Sequence, residues 1–345
     1  ANMNSALTTD STTGSDFQRI KDIVECQRIS FIEDGYPSAK TRIDRLDRLI
    51  AMLRKNKQKL AAALKSDYSA RSHFDSVVFD ILVPIESLKY CRKNTAKWMK
   101  PEKRGAKFPL NLLGADAYVF YQPMGVVGIV APWNFPIQLT FSPLGNAISA
   151  GNRATIKPSE LTPETSALLE ELFTADFGPE EISVVNGGPD VAAAFTAQAF
   201  DHLVFTGAPS VAKHVMRAAA ENLVPLTLEL GGKCPVIIGQ GADLKSAVER
   251  IFTFKTMNAG QICLAPDYTF VQAEVLQQCS ELAKNFVADN FGTLADNDDY
   301  GSIINERHRA RITGYIQEAM SKGYQTIPLS DDIGLDKLAH NHKLA

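Results

Sequence analysis

Little in this chain points to the extracellular space, a membrane or a metal. Its 345 residues include five cysteines (Cys26, Cys91, Cys234, Cys263 and Cys279), odd in number and scattered, so no disulfide framework is implied. The six histidines are dispersed and show no metal-ligand spacing. No apolar run approaches the roughly 18 residues that a membrane-crossing helix needs. Lysine and arginine number 36 against 39 aspartates and glutamates, a net charge of −3. That balance gives no electrostatic reason for nucleic acid or an anionic membrane as a partner. The first residues lack the basic cluster and apolar stretch of a secretory signal, and a G-x-G-x-x-G fingerprint is missing throughout. These absences predict a cytoplasmic, metal-free protein with no nucleic-acid or membrane partner.

What is present is a globular composition, 45% hydrophobic and 22% charged. The length predicts two domains, placed at 16–222 and 223–345 behind a disordered Ser/Thr-rich arm over 1–15. From 16 to 99 the chain is helical in character. Over 39–66, Ile43, Leu46, Ile50, Leu53 and Leu60 recur at helical spacing. The basic residues between them, Arg42, Arg45 and Arg48 among them, read as a solvated face. A second helix over 74–98 meets Pro84, which should break or kink it. Residues 100–105 read as a linker, and 107–123 as a hairpin with an exposed edge around Gly114. From Met124 short apolar runs alternate with helical stretches, as in Gly125-Val126-Val127-Gly128-Ile129-Val130. This repetition predicts an α/β fold with a Rossmann-like parallel sheet. A second α/β unit starts near Leu226, with strands at 236–238 and 268–271 and helices at 244–257, 275–290 and 306–321.

Five short words carry chemistry. Pro132-Trp133-Asn134 lies between a strand and a helix, where the Asn134 amide either faces a developing oxyanion or caps the helix. In Lys157-Pro158-Ser159-Glu160 a carboxylate can take both hydroxyls of a ribose while Lys157 donates to the same sugar; the alternative is an exposed charge pair. Glu160 would repel a ribose 2′-phosphate, favouring NAD over NADP. Gly207-Ala208-Pro209-Ser210-Val211 sits at a strand-to-helix turn, where a helix N-terminus favours pyrophosphate. Glu229 precedes Leu230 and the pair Gly231-Gly232, which allows a sharp turn with close backbone approach. Cys263 follows Gly260-Gln261 in a loop of small residues, as a nucleophile would, or as a buried structural cysteine would.

In this order and spacing the words resemble those of the aldehyde dehydrogenase family. The resemblance implies Cys263 as nucleophile, Glu229 as general base, and Asn134 with the Cys263 backbone N–H as oxyanion donors. It also implies a site for NAD, with NADP as the alternative, at Pro132, Trp133, Lys157, Ser159, Glu160, Gly207, Ala208, Val211, Leu230 and Gly231. The stretch from Phe120 to Pro136 is most similar to the branch that includes coniferyl aldehyde dehydrogenase. This implies a small aromatic or medium-chain aldehyde as substrate, and a homodimer or homotetramer bridged by the 107–123 hairpin. Ala212 stands where the family commonly has a second glycine. The family's E-I-F-G-P motif, whose glutamate holds the nicotinamide ribose, is not among the 345 residues, so 223–345 reads as a truncated catalytic domain. Two alternatives stay open: a cofactor-binding fragment without turnover, and thiol-type ester hydrolysis by Cys263 and Glu229.

Overall fold

The computed structural model describes residues 11–330 and 342–344. It divides into two compact units, the first built from residues up to Asn56, Ile81–Glu160 and Ser166–Glu229, the second from Lys57–Asp80, Leu161–Thr165 and Leu230 onward. Among the described residues no helix is long and apolar enough to cross a membrane.

The first unit opens with α1 (Ser11–Asp34) and α2 (Ala39–Lys55). The predicted arm over 1–15 therefore gives way to helix at Ser11, and its first ten residues lie outside the described part. The helical stretch over 39–66 is two helices rather than one. Asn56 leaves helical geometry and turns its own amide back onto the Met52 carbonyl at 2.9 Å, and α3 (Lys57–Tyr68) starts anew in the second unit. The solvated basic face is also corrected. Arg42 and Arg45 are buried, because the Ser149 carbonyl accepts from the first and the Glu181 carboxylate from the second, at 3.1 and 2.8 Å. Both partners are more than 100 residues away in the chain, beyond the reach of periodicity.

A short helix α4 (His73–Val77) and a π-turn at Val78–Leu82 lead into α5 (Val83–Trp98). Pro84 closely follows the π-turn, so the predicted helix over 74–98 is interrupted next to it by a change of hydrogen-bond pattern rather than ended. The predicted linker contributes a strand, β1 (Glu102–Arg104), paired antiparallel with β2 (Ala117–Val119).

The sheet that follows has the predicted alternation. Its elements are β3 (Val126–Val130), α6 (Gln138–Ala150), β4 (Arg153–Lys157), α7 (Pro163–Asp176), β5 (Ile182–Val184), α8 (Pro189–Thr196), β6 (His202–Gly207), α9 (Pro209–Ala220) and β7 (Leu226–Leu230). The strands lie in the order β5-β4-β3-β6-β7, with β3, β4, β5 and β6 pairing in parallel. The order reverses at β3, the first strand laid down, which makes its two flanks the topological switch point of the sheet. A core of Val126, Phe195, Phe200, Leu203, Phe205 and Val215 packs there with Ile20 and Val24 of α1. Each such side chain contributes about 1.5–3 kcal/mol on burial. Gly128 is required by this packing, since a Cβ on it would lie 2.7 Å from Leu203 Cδ1 and 2.8 Å from the Phe200 ring.

The second unit contains α3, α4, a two-stranded parallel ladder of β8 (Cys234–Ile237) and β9 (Pro266–Phe270), α10 (Leu244–Thr256), α11 (Leu276–Phe291) and α12 (Glu306–Ser321). A single cut at 222/223 does not describe this division. Residues 57–80 belong to the second unit because they are tied into it by hydrogen bonds, among them Ser302 N–H to the Ala70 carbonyl at 2.8 Å. The β7 strand up to Glu229 stays with the first unit, on the edge beside β6.

Candidate functional site

In the first unit, register brings three of the words to one edge of the sheet. Val130 at the end of β3 pairs with Lys157 at the end of β4 on one side and with Phe205 of β6 on the other. The Pro132-Trp133-Asn134 loop, the Lys157-to-Glu160 turn and the Gly207-Ala208 turn therefore leave from neighbouring strand ends, at the switch point where open α/β sheets bind ligands.

Lys157 is buried, and its Nζ donates to the Glu160 carboxylate at 3.0 Å and to the Pro158 carbonyl at 2.8 Å. The Glu160 side chain pairs with that ammonium and keeps 40% of its surface exposed. Ser159 is buried, and its carbonyl accepts from the Ser166 hydroxyl at 2.9 Å. The four-residue word is thus a fixed turn rather than a loose charge pair.

Asn134 is half-buried and lies ahead of α6. That helix begins four residues later, with Ile137 at the cap position and no side-chain bond there. Pro132 and Trp133 are likewise half-buried. At the β6–α9 turn the cap residue is Ala208, which has no capping group, and the first turn of α9 holds no acidic residue. Gly207 is fixed by packing, since a Cβ there would meet the Phe205 ring at 2.6 Å, while Val211 on the first turn is exposed.

Glu229 is exposed, one residue before the end of β7. The close approach read from the glycine pair is not found among the chain's own atoms. A Cβ on Gly231 or Gly232 would meet nothing within 4 Å, and neither residue has a positive φ. Leu230 and Gly231 are exposed as well.

Cys263 lies in the second unit and is exposed, so it is not the buried structural cysteine that the sequence left open. It occupies a turn closed by Ala265 N–H to the Ile262 carbonyl at 3.1 Å. The half-buried Cys234 donates its thiol to the Cys263 carbonyl at 3.5 Å. Gln261 is the main anchor of this turn. Its amide donates to the Asn258 and Ser302 carbonyls, both at 2.9 Å, and its oxygen accepts from Ile304 N–H at 2.9 Å. Behind it stands a buried polar group that sequence reading missed. Arg71 and Asp75 reach Asn258 from 187 and 183 residues away. The sole local signal was the Asn258-Ala259-Gly260 run, whose asparagine and glycine favour left-handed backbone.

The family model described as "Aldehyde dehydrogenase family" matches residues 21–334. The coniferyl aldehyde dehydrogenase of Pseudomonas sp. strain HR199 is 49% identical over 306 residues, covering 88% of this chain and 63% of that protein. A substrate-bound structure of Staphylococcus aureus AldH superposes with a TM-score of 0.83 at 34% identity, over 88% of this chain and 66% of that one. An NAD+ complex of an aldehyde dehydrogenase from Bacillus cereus gives 0.78 at 27% identity, over 89% and 62%. The chain thus spans 63–64% of the length of the coniferyl aldehyde dehydrogenases it matches.

Proposed function

Because the chain belongs to the aldehyde dehydrogenase family, we propose that the whole protein oxidises a small aldehyde to its carboxylic acid with NAD. Aromatic aldehydes such as coniferyl aldehyde are the favoured class, on the strength of the 49% identity to a coniferyl aldehyde dehydrogenase. The observation that carries the reading is an exposed cysteine, Cys263, held in a turn that Gln261 pins on three sides.

The donor set on the first unit fits a dinucleotide. Glu160 offers a half-exposed carboxylate for ribose hydroxyls, Lys157 steadies that carboxylate, and the uncapped N-terminus of α9 suits a pyrophosphate. Pro132, Trp133, Ser159, Gly207, Ala208, Val211, Leu230 and Gly231 complete the assigned contacts. When bound, NAD supplies the acceptor for the hydride that leaves the substrate carbon.

The protein's own residues do the rest. The Cys263 thiolate adds to the aldehyde carbon, and the Asn134 amide with the Cys263 backbone N–H stabilises the oxygen that becomes negative. After oxidation the acyl group is held as a thioester on Cys263. Glu229 takes a proton from the water that attacks that thioester, and the thiolate leaves as the acid forms. The protein works as a homodimer or homotetramer through the hairpin of β1 and β2.

The test is NADH formation by the whole protein with NAD and a panel of aromatic and aliphatic aldehydes. Cys263→Ala should abolish it, and an unchanged rate would remove Cys263 from the mechanism. Glu229→Gln should give a burst of NADH followed by steady turnover slowed by about 10²-fold or more, the usual worth of a general base. Steady turnover equal to the parent's would remove Glu229.

A further inference from the structure

Three consecutive residues ahead of Gln261-Ile262-Cys263 have left-handed backbone: Asn258, Ala259 and Gly260, with φ of 48°, 52° and 74°. Glycine accepts this freely and asparagine tolerates it, but for alanine it costs about 1–2 kcal/mol. Such a run persists only where its surroundings over-determine it. Here the surroundings are polar and buried. Asp75 Oδ2 accepts from Asn258 N–H at 2.9 Å, and Asn258 Oδ1 accepts from Arg71 Nη1 at 3.2 Å. Arg71 in turn pairs with Asp80 at 2.5 Å and stacks over the Tyr68 ring at 4.4 Å. Neither side chain of the Arg71–Asp80 pair has any exposed surface. On the far side of the run, Asn258 Nδ2 donates to the Gln261 carbonyl at 3.3 Å, and Gln261 N–H donates to the Asn258 carbonyl at 3.0 Å.

All these groups lie in the second unit, yet Tyr68, Arg71, Asp75 and Asp80 come from the early segment Lys57–Asp80. The arrangement is asymmetric in a telling way. Its buried charges converge on Asn258, five positions before Cys263, while the thiol stands exposed at the far end of the turn. A network with a purely local packing role has no need to hold a strained backbone directly upstream of an exposed nucleophile.

We propose that Asp75 is a positioning residue for Cys263: its carboxylate, backed by Arg71, grips the Asn258 amide and fixes the left-handed run that sets the direction of the thiol. The inference rests on the reading of Cys263 as the nucleophile. Asp75 acts through Asn258 and is not itself catalytic.

The experiment measures alkylation of Cys263 by iodoacetamide in the 345-residue chain, read on its proteolytic peptide by mass spectrometry. The exposed Cys26 in the first unit serves as internal reference, and the same chain in denaturant gives the unconstrained rate. The Cys263 rate in the parent should differ from the unconstrained one. Asp75→Ala should carry it toward that value by about tenfold, equivalent to ~1.4 kcal/mol of lost positioning. Asp75→Asn keeps a carbonyl acceptor for the Asn258 amide and should hold the parent's rate, while Cys26 stays unchanged throughout. A parent rate already equal to the unconstrained one would overturn the proposal, as would an Asp75→Ala rate equal to the parent's.

Should Asp75→Ala fail to fold, Asp75→Leu takes its place. It keeps side-chain volume but removes the acceptor for the Asn258 N–H, so the same drift is expected, and an unmoved rate overturns the proposal. The turnover test of Cys263→Ala separates the two levels. Lost NADH formation with unmoved alkylation in Asp75→Ala overturns the positioning role alone. Retained NADH formation overturns the nucleophile reading itself.

Discussion

On the proposed reading, Glu160 is the side chain that would choose between two closely related cofactors. Its carboxylate is held by the buried Lys157 ammonium, and 40% of the side chain's surface is exposed. A ribose diol can donate to it, whereas a 2′-phosphate would face like charge at short range. Glu160→Gln should therefore reduce the preference for NAD over NADP, measured as the ratio of the two kcat/KM values in the whole protein. An unmoved ratio would leave the ribose assignment without support. This word was legible in the sequence because Lys157 and Glu160 are three residues apart and the turn between them is local. The grip on Asn258 was not, because its partners Arg71 and Asp75 are more than 180 residues distant. No spacing rule joins an Arg-Ser-His stretch to a Met-Asn-Ala stretch across that gap.

Elements follow the same division between local and distant causes. The sheet strands were readable as short apolar runs, and α12 was predicted at its observed bounds, Glu306–Ser321. The strand β1 was not readable. Glu102-Lys103-Arg104 has no apolar alternation, and it is a strand because β2 offers it a partner. In α2 the buried Arg45 and the partly exposed Arg48 both bind Glu181 ahead of β5, at 2.8 and 3.1 Å. Burial pushes the Glu181 carboxyl up, but the hydrogen bonds and charges of Arg45 and Arg48 outweigh it, and the net shift is downward. A depressed carboxyl stabilises the folded state fully above its unfolded value, about 4.3, and that contribution is lost as pH falls through the folded value. Glu181→Gln should thus lower Tm near neutral pH and flatten its fall on acidification below about pH 4.3. An equally steep acid limb in the variant would show that this helix-to-strand clamp does not govern acid stability.

At the scale of the whole molecule, the hairpin exposes a run of large apolar side chains. Phe108, Leu112, Leu113 and Phe120 are 64–81% exposed along a short stretch of chain, an apolar surface of the kind that subunits bury. Leu113→Glu together with Phe120→Glu should shift the sedimentation coefficient of the whole protein toward that of a monomer, with the far-ultraviolet circular dichroism unchanged. Retention of the parent's oligomer would place the subunit contact elsewhere. The second unit has a consequence of another kind, one that concerns the ribosome. Its Arg71 donates to Asn258 ahead of the Cys263 turn, and 187 residues separate the two. At roughly 5–20 residues per second, synthesis keeps Arg71 and Asp75 waiting on the order of 10–40 s before Asn258 exists. A nascent chain thus carries these charges without the asparagine they hold while the intervening sheet is made, and chaperones that shield them have that interval in which to act.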